Sequence, residues 1–144
     1  MSRCTRSVQA SPEQVWSVLA DGWLYPVWVV GAARIRGVDR SWPAVGSQLQ
    51  HSAGLWPLLL DDNTEVVEAE PPRRLVLRAR GWPAGEAQVT IELVPEGGST
   101  RVDIHEDAVR GPGTLVPRPL RSAAITLRNR ETLRRLALLV EGRA

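Results

Sequence analysis

The sequence predicts an α+β fold, in which a curved antiparallel sheet of about seven strands wraps around a long C-terminal helix, with two short helices after the first strand. Between about residues 33 and 110, short apolar segments are separated by turns rich in glycine and proline, which is typical of an antiparallel meander. Residues from about 119 to 141 then carry apolar side chains at helical spacing. Because a sheet with one apolar face needs a cover, we expect this helix to close the core.

The first thirty residues predict one strand and two short helices. Residues 3–9 read as a strand, and Ser11 then has the properties of a helix N-cap. Pro12 suits the first helical position, and Gln14 completes a capping box with Ser11. Residues 23–30 predict a second short helix or turn that contains a proline.

The rest of the chain supplies the sheet and its cover. Apolar periodicity predicts strands at 33–39, 47–53, 64–70, 73–80, 86–94 and 101–109. The inner stripe of the last helix is predicted to consist of Ile125, Asn129, Leu133, Leu136 and Val140. The length suits one core, so residues 1–144 are expected to form a single domain.

Composition favours a cytoplasmic protein of ordinary charge. All 18 basic residues are arginine, yet the net charge is only +2, so we expect no nucleic-acid partner. The arginines of the last helix are predicted to form its solvated face: Arg118, Arg121, Arg128, Arg130, Arg134 and Arg135. The start of the sequence has no hydrophobic leader, and no apolar run reaches the roughly 20 residues of a membrane span. We therefore expect no stable membrane insertion.

Cofactor and metal chemistry is not indicated by any motif. The single cysteine excludes an internal disulfide and fits a reducing compartment. With two histidines and one cysteine a structural zinc site is improbable, and phosphate-binding and dinucleotide-binding fingerprints are missing from the sequence. We expect no cofactor and no metal ion.

Strand alternation places several polar side chains on the inner face of the sheet. Val102, Ile104 and Glu106 share one face of their strand, so the apolar face carries Glu106 inward. By the same alternation Leu49 and His51 share a face, and Arg6 shares one with Cys4 and Val8. Buried ionisable groups need partners or water. These side chains are therefore either a satisfied structural network or a set that recognises a ligand.

The order of the segments resembles a known superfamily. The stretches that carry the resemblance are ASPEQVWSVLAD, WLYPVWVVGAARIRGV, VGSQLQ, EVVEAEPPRRLVLRARG and GGSTRVDIHED. Together they resemble the Bet v 1-like or START-like (SRPBCC) superfamily, in its bacterial polyketide cyclase/dehydrase and lipid-transport group. The resemblance implies a helix-grip fold with a ligand pocket between the sheet and the long helix. It also implies that the first and last strands are neighbours, so that Arg6 and Glu106 would meet as a pair.

The expected function is the binding of a hydrophobic or polycyclic small molecule in that cavity. The candidate ligand-binding residues are Arg6, Tyr25, Trp28, Leu49, His51, Trp56, Glu106 and Asn129. An alternative is a polyketide cyclase-like or aromatase-like enzyme, in which His51 is the general base and Glu106 or Arg6 polarises a carbonyl for aldol-type closure. The oligomeric state is expected to be a monomer or a homodimer.

The apolar run GLWPLLLDD, residues 54–62, is predicted to connect the third and fourth strands. Pro57 cannot lie in a central strand, so the chain should bend there. We interpret Leu55, Trp56 and Leu58 as a hydrophobic lid on one end of the cavity. A dimer contact, a shallow membrane contact and a protein-interaction tip at 55–60 are the alternatives.

Overall fold

A computed structural model describes residues 2–30, 32–53, 60–81, 85–110, 115 and 117–143. It has the predicted α+β helix-grip architecture of seven strands, two short helices and one long helix. The strands are β1 (Ser2–Val8), β2 (Ala32–Val38), β3 (Gln48–Ala53), β4 (Leu60–Glu70), β5 (Arg74–Gly81), β6 (Gly85–Glu96) and β7 (Ser99–Arg110). The helices are α1 (Pro12–Leu19), α2 (Tyr25–Trp28) and α3 (Arg118–Arg143), and a single 3₁₀ turn, Gly22–Leu24, leads into α2.

The seven strands form one antiparallel sheet in the order β1-β7-β6-β5-β4-β3-β2. Strands β2 to β7 follow one another as a meander, and β1 is added beside β7, as the family resemblance implied. In the register of that last pair, Ser2 lies opposite Glu106 and Arg6 lies opposite Val102. The two edges of the sheet are therefore β1 and β2.

The start of α1 has the predicted capping box. The Ser11 hydroxyl accepts a hydrogen bond from the Gln14 backbone N–H at 3.2 Å, and the Gln14 side-chain oxygen accepts one from the Ser11 N–H at 2.8 Å. Two backbone donors that the helix cannot satisfy internally are thus satisfied by side chains. The helix then buries Val15, Val18 and Leu19.

The long helix α3 covers the sheet mainly through its C-terminal half, where it packs against β1, β7 and α2. Its buried residues follow helical spacing: Asn129, Thr132, Leu133, Leu136, Ala137 and Val140. Ile125, predicted on the same stripe, is only half-buried, and Leu120 and Leu127 are exposed. No helix in the described part of the chain is long and apolar enough to cross a membrane.

Strand β4 begins four residues earlier than its predicted start at residue 64. Backbone pairing of Asp61 with Ser52 and of Asp62 with His51 extends the β3–β4 ladder toward the apolar run. The hydrophobic pattern misses this extension because backbone hydrogen bonds do not require apolar side chains. The lid predicted at Leu55, Trp56 and Leu58 falls between β3 and β4, outside the described residues.

Candidate functional site

A small cavity lies between the sheet and the helices α2 and α3, with a volume of about 70 Å³. Its walls are mostly apolar and come from β5, β6, β7 and both helices. The lining residues are Tyr25, Trp28, Val29, Leu77, Ala79, Val89, Ile91, Ile104, Glu106, Arg128, Asn129 and Thr132. A mostly apolar cavity with a few convergent polar groups is the usual form of a small-molecule site.

Glu106 is the buried carboxylate of this cavity, with only 5% of the residue exposed. Its neighbours on the same face of β7, Val102 and Ile104, are buried too, as strand alternation predicted. One carboxylate oxygen accepts a hydrogen bond from the Asn129 amide at 3.2 Å, and the other forms an ion pair with Arg128. Both partners are on α3, so the carboxylate connects the sheet to the helix.

The predicted ion pair between Arg6 and Glu106 is wrong. Arg6 lies opposite Val102, four residues from Glu106 along β7, which corresponds to about 14 Å at roughly 3.4 Å per residue. Its side chain is exposed, whereas Cys4 and Val8 on the same face are buried. Because β1 is an edge strand, a long arginine side chain can reach water around the edge. Arg128 takes the place that the sequence analysis gave to Arg6.

A second polar group is centred on Thr64 of β4, which is fully buried. The Thr64 hydroxyl lies 2.9 Å from Nε2 of His51 and 3.4 Å from the Tyr25 hydroxyl. The rings of Tyr25 and His51 stack with centroids 5.7 Å apart. Tyr25 lines the cavity, whereas His51 is not among the lining residues. The threonine hydroxyl thus links a cavity-facing phenol to a buried imidazole.

The pKa of Tyr25 is raised above its ordinary value, chiefly because the side chain is buried. The negative charge of Glu106 raises it as well, while the hydrogen bond to Thr64 and the charge of Arg128 act in the opposite direction. The phenol is therefore neutral at physiological pH and able to donate a hydrogen bond. The same dependence shows that the two polar groups lie within electrostatic range of each other.

Trp28 contributes a buried donor beside the cavity. Its ring packs edge-on against Tyr25 with centroids 5.5 Å apart, and only 3% of the residue is exposed. Its indole N–H is buried and has no hydrogen-bond acceptor among the described residues. A buried donor without an acceptor lowers stability, so an oxygen atom of a bound molecule at this position would gain by pairing with it.

The structure brings four of the eight candidate ligand-binding residues to the cavity: Tyr25, Trp28, Glu106 and Asn129. Leu49 is fully buried in the core but does not line the cavity, and Trp56 lies outside the described residues.

Arg128, Thr64 and Thr132 are site residues that the sequence patterns do not predict. Arg128 is predicted on the solvated face of the last helix, whereas the structure brings it to Glu106. Its position directly before the predicted inner residue Asn129 is the one signal of this in the sequence.

Thr64 and Thr132 belong to no sequence motif. Their roles become visible only from their hydrogen bonds in the structure, those of Thr64 with Tyr25 and His51 and that of Thr132 with Val30.

No cluster of three potential metal ligands occurs in the described part of the chain. The tripeptide His105-Glu106-Asp107 is divided between the two faces of β7, as strand alternation predicted. Glu106 faces the cavity, and His105 lies 3.8 Å from Glu92 on the opposite face.

Comparison with known proteins agrees with this fold. Residues 2–141 match the family model described as polyketide cyclase / dehydrase and lipid transport. No curated protein matches the sequence.

Three solved structures illustrate the similarity, each below 25% identity and therefore informative about the fold. Protein CV1439 from Chromobacterium violaceum is 20% identical with a TM-score of 0.68, over 96% of each chain. Protein NE0264 from Nitrosomonas europaea is 16% identical with a TM-score of 0.74, over 99% of this chain and 94% of that one. DynU16, a protein in the dynemicin biosynthetic locus, is 21% identical with a TM-score of 0.68, over 97% of this chain and 46% of that one.

The family match spans nearly every described element, from β1 through the last turns of α3. It includes the strand that carries Glu106 and the helix that carries Asn129. On these grounds the chain belongs to the polyketide cyclase/dehydrase and lipid-transport family.

Proposed function

We propose that the protein binds an apolar small molecule of polyketide-like or lipid-like character between its sheet and α3. One observation carries the proposal, namely that a buried carboxylate, Glu106, lies in a mostly apolar cavity and is held there by Asn129. A buried carboxylate is costly, and a core of the same shape needs none. Its position is explained if it accepts a hydrogen bond from a ligand hydroxyl.

Three polar groups of the cavity wall each orient a different part of such a ligand in this proposal. Glu106 is an acceptor for a hydroxyl, and the neutral Tyr25 phenol is a donor to a carbonyl. The Trp28 indole N–H supplies a second donor next to Tyr25. A molecule with both carbonyl and hydroxyl oxygens on an apolar skeleton matches this set better than a plain hydrocarbon chain does.

The size of the cavity means that binding requires an opening. About 70 Å³ corresponds to roughly two water molecules, whereas small-molecule pockets usually measure about 300–1,000 Å³. The wall most able to yield is the first half of α3, where Leu120 and Leu127 are exposed. The second half is held by its buried stripe and by Thr132, whose hydroxyl accepts a hydrogen bond from the Val30 N–H at 3.2 Å.

The test is a binding titration with a hydroxylated tricyclic anthraquinone as the probe. Tryptophan fluorescence measures the affinity, and native mass spectrometry measures the number of molecules bound per chain. We expect one molecule per chain, and at least about tenfold weaker binding for Glu106→Leu, because a lost hydrogen bond to a charged group is worth about 1.5–3 kcal/mol. Glu96→Gln, which removes an exposed carboxylate from the β6–β7 turn, is the matched control. Equal affinity of wild type, Glu106→Leu and the control would refute the role of the carboxylate.

A second candidate function, cyclisation or dehydration of a polyketide chain, is favoured by the link from Tyr25 through Thr64 to His51. In an aldol closure a base removes a proton from a methylene group, and the resulting carbanion attacks a carbonyl carbon. The new alkoxide then takes a proton, and loss of water forms the double bond. In this proposal the methylene proton passes through the hydroxyls of Tyr25 and Thr64 to His51, which is the base, and the same chain returns a proton to the alkoxide.

Turnover separates the two functions. Incubation with a short poly-β-ketone thioester should produce a conjugated ring absorbing in the near ultraviolet if the protein is an enzyme. Tyr25→Phe would then abolish turnover while leaving anthraquinone binding within a few-fold of wild type, because the ring remains. Tight anthraquinone binding without turnover of the thioester would favour the carrier function.

A further inference from the structure

A second site lies outside the cavity, in an open groove of about 500 Å³ between the edge strand β1 and the helix α3. Four arginines line it: Arg3 and Arg6 from β1, and Arg130 and Arg134 from α3. The buried Cys4 lies on its floor, with its thiol 3.5 Å from the Thr126 carbonyl oxygen. The function proposed for the cavity uses none of these arginines.

The groove carries a net positive charge. Its one carboxylate, Glu131, is already engaged by Arg134 at 3.4 Å and by Arg135 at 3.1 Å. Arg3 lies 3.5 Å from Asp103. Arg6 and Arg130 form no ion pair with any carboxylate in the described ranges, and both are exposed. The two walls of the groove therefore each carry an arginine, Arg6 on β1 and Arg130 on α3, without a counter-charge among the described residues.

The charge of Arg130 extends to the floor of the groove. Burial raises the pKa of the Cys4 thiol, the positive charge of Arg130 opposes that rise, and the negative charge of Glu106 adds to it. An anion in the groove would meet the positive charge of Arg130 on the wall that α3 forms. Guanidinium groups suit carboxylate partners because their planar N–H donors match the two carboxylate oxygens.

The wall formed by β1 also offers backbone hydrogen bonds. Among the described strands β1 pairs only with β7, so one side of it is an open edge. Along that edge, alternate residues direct their N–H and C=O groups outward. The lining part of β1, residues 3–6, is about 10 Å long, and that of α3, residues 126–134, about 12 Å. Three or four residues of extended chain have this length.

We propose that the groove binds a short acidic segment of a partner protein, which adds to β1 as an extended strand and places its carboxylates against Arg6 and Arg130. Strand addition to an open edge is a common mode of peptide recognition, in which main-chain hydrogen bonds supply affinity and side-chain contacts supply specificity. In this groove Arg6 and Arg130 favour a negatively charged peptide, and the open edge of β1 favours a peptide in the extended conformation.

The experiment measures the fluorescence anisotropy of a labelled octapeptide of alternating Glu and Val. A second peptide has the same charges, but its backbone is N-methylated at every residue, so neither of its edges can donate to a ladder. A third replaces Glu by Lys. We expect the first peptide to bind at least about tenfold more tightly than either of the others, and amide hydrogen exchange in β1 to slow on its addition.

The protein variants test the arginines. The double variant Arg6→Glu, Arg130→Glu should weaken binding of the acidic peptide at least about tenfold, since each exchange turns an attraction into a repulsion. Arg40→Glu, an exposed residue in the turn that follows β2 on the opposite side of the sheet, should leave affinity within about twofold. Circular dichroism checks that both variants are folded.

Three results would overturn the proposal. The first is an acidic peptide whose binding survives the double variant, because the arginines would then play no part. The second is equal binding of the N-methylated peptide, which would leave charge attraction without strand addition. The third is displacement of the peptide by pyrophosphate or duplex DNA at lower concentration than by unlabelled peptide, which would identify a general anion site.

Discussion

Glu106 on β7 and Asn129 on α3 are joined by a 3.2 Å hydrogen bond between two side chains that are both nearly inaccessible to water. The bond connects β7, the neighbour of the edge strand β1, to the long helix at the cavity wall. Arg128 reaches the same carboxylate from its half-exposed position one residue earlier on the helix. The carboxylate therefore has a structural role in addition to the ligand-binding role proposed above, and the two roles can be separated by measuring stability without ligand.

The stability of the free protein should depend on Glu106 in a graded way. Glu106→Gln keeps an acceptor for Asn129 and should cost about 1 kcal/mol, because only the ion pair is lost. Glu106→Ala removes the acceptor, leaves the buried Asn129 amide unpaired and should cost about 2–4 kcal/mol. Urea unfolding monitored by tryptophan fluorescence measures both values.

Arg128→Gln provides the comparison for the ion pair. The arginine side chain is 41% exposed, so solvent screens the pair and its loss should cost less than about 1 kcal/mol. A larger loss for Arg128→Gln than for Glu106→Ala would contradict this assignment, because it would make the cation rather than the amide the main partner.

Thr64→Val should destabilise the protein by about 1–3 kcal/mol, although it preserves the volume of the side chain. The substitution removes the hydroxyl that both the Tyr25 phenol and His51 Nε2 contact inside the core. Thr64→Ser retains the hydroxyl and loses one methyl group, so it should cost only about 1 kcal/mol. Thermal unfolding of the two variants tests the difference, and a Thr64→Ser variant less stable than Thr64→Val would show that packing, not hydrogen bonding, dominates here.

The raised pKa of Tyr25 predicts a loss of stability at alkaline pH. The folded state binds the phenolic proton more tightly than the unfolded state does, so this contribution is fully present below the unfolded pKa of about 10 and is lost as pH rises through the higher folded pKa. Tyr25 is the only tyrosine, so phenolate absorbance near 295 nm reports on this side chain alone.

The native titration midpoint should lie above that measured in denaturant. In Tyr25→Phe the fall in stability above about pH 10 should become shallower. A native midpoint at or below the denatured one would mean that the phenol is not buried as described.

Ser11→Ala should lower stability by about 1 kcal/mol, because it removes the side chain that caps α1. Ser11→Gly is the sharper control, since glycine is tolerated at N-caps and should cost only a few tenths of a kcal/mol relative to serine. Equilibrium urea unfolding resolves this difference if the two variants are measured side by side. Equal losses for Ala and Gly would argue against the capping box as the source of the effect.

The order of the strands and helices could be predicted because local signals fix it. The Ser11 capping box, the Gly and Pro turns and the two-residue alternation of β7 each act over a few residues, and all agree with the structure. The family resemblance supplied what local signals could not, namely that β1 lies beside β7. The inward direction of Glu106 followed from its apolar neighbours on the same strand face.

The partners of the buried groups could not be predicted, because they depend on register and on helix rotation. A shared face on β1 did not place Arg6 near Glu106, since four residues of strand separate the two positions and the edge gives the side chain a route to water. The sequence pattern groups Arg128 with the solvated arginines of the last helix. Only the orientation of α3 about its own axis in the folded protein brings Arg128 to the Glu106 carboxylate. His51 is buried, as its strand face predicts, yet it stacks on Tyr25 and is not among the residues that line the cavity.

The uneven burial of α3 leaves its first half less tightly packed than its second half, so the helix can tilt about a pivot near Leu133. From there to Arg118 the helix measures about 22 Å at 1.5 Å per residue. A rotation of only about 5° at the pivot would therefore move the free end by about 2 Å. Access to the cavity would then depend on how easily the first half of α3 tilts away from the sheet. Residues far from any bound molecule would in that case set the rate at which the molecule exchanges with solvent.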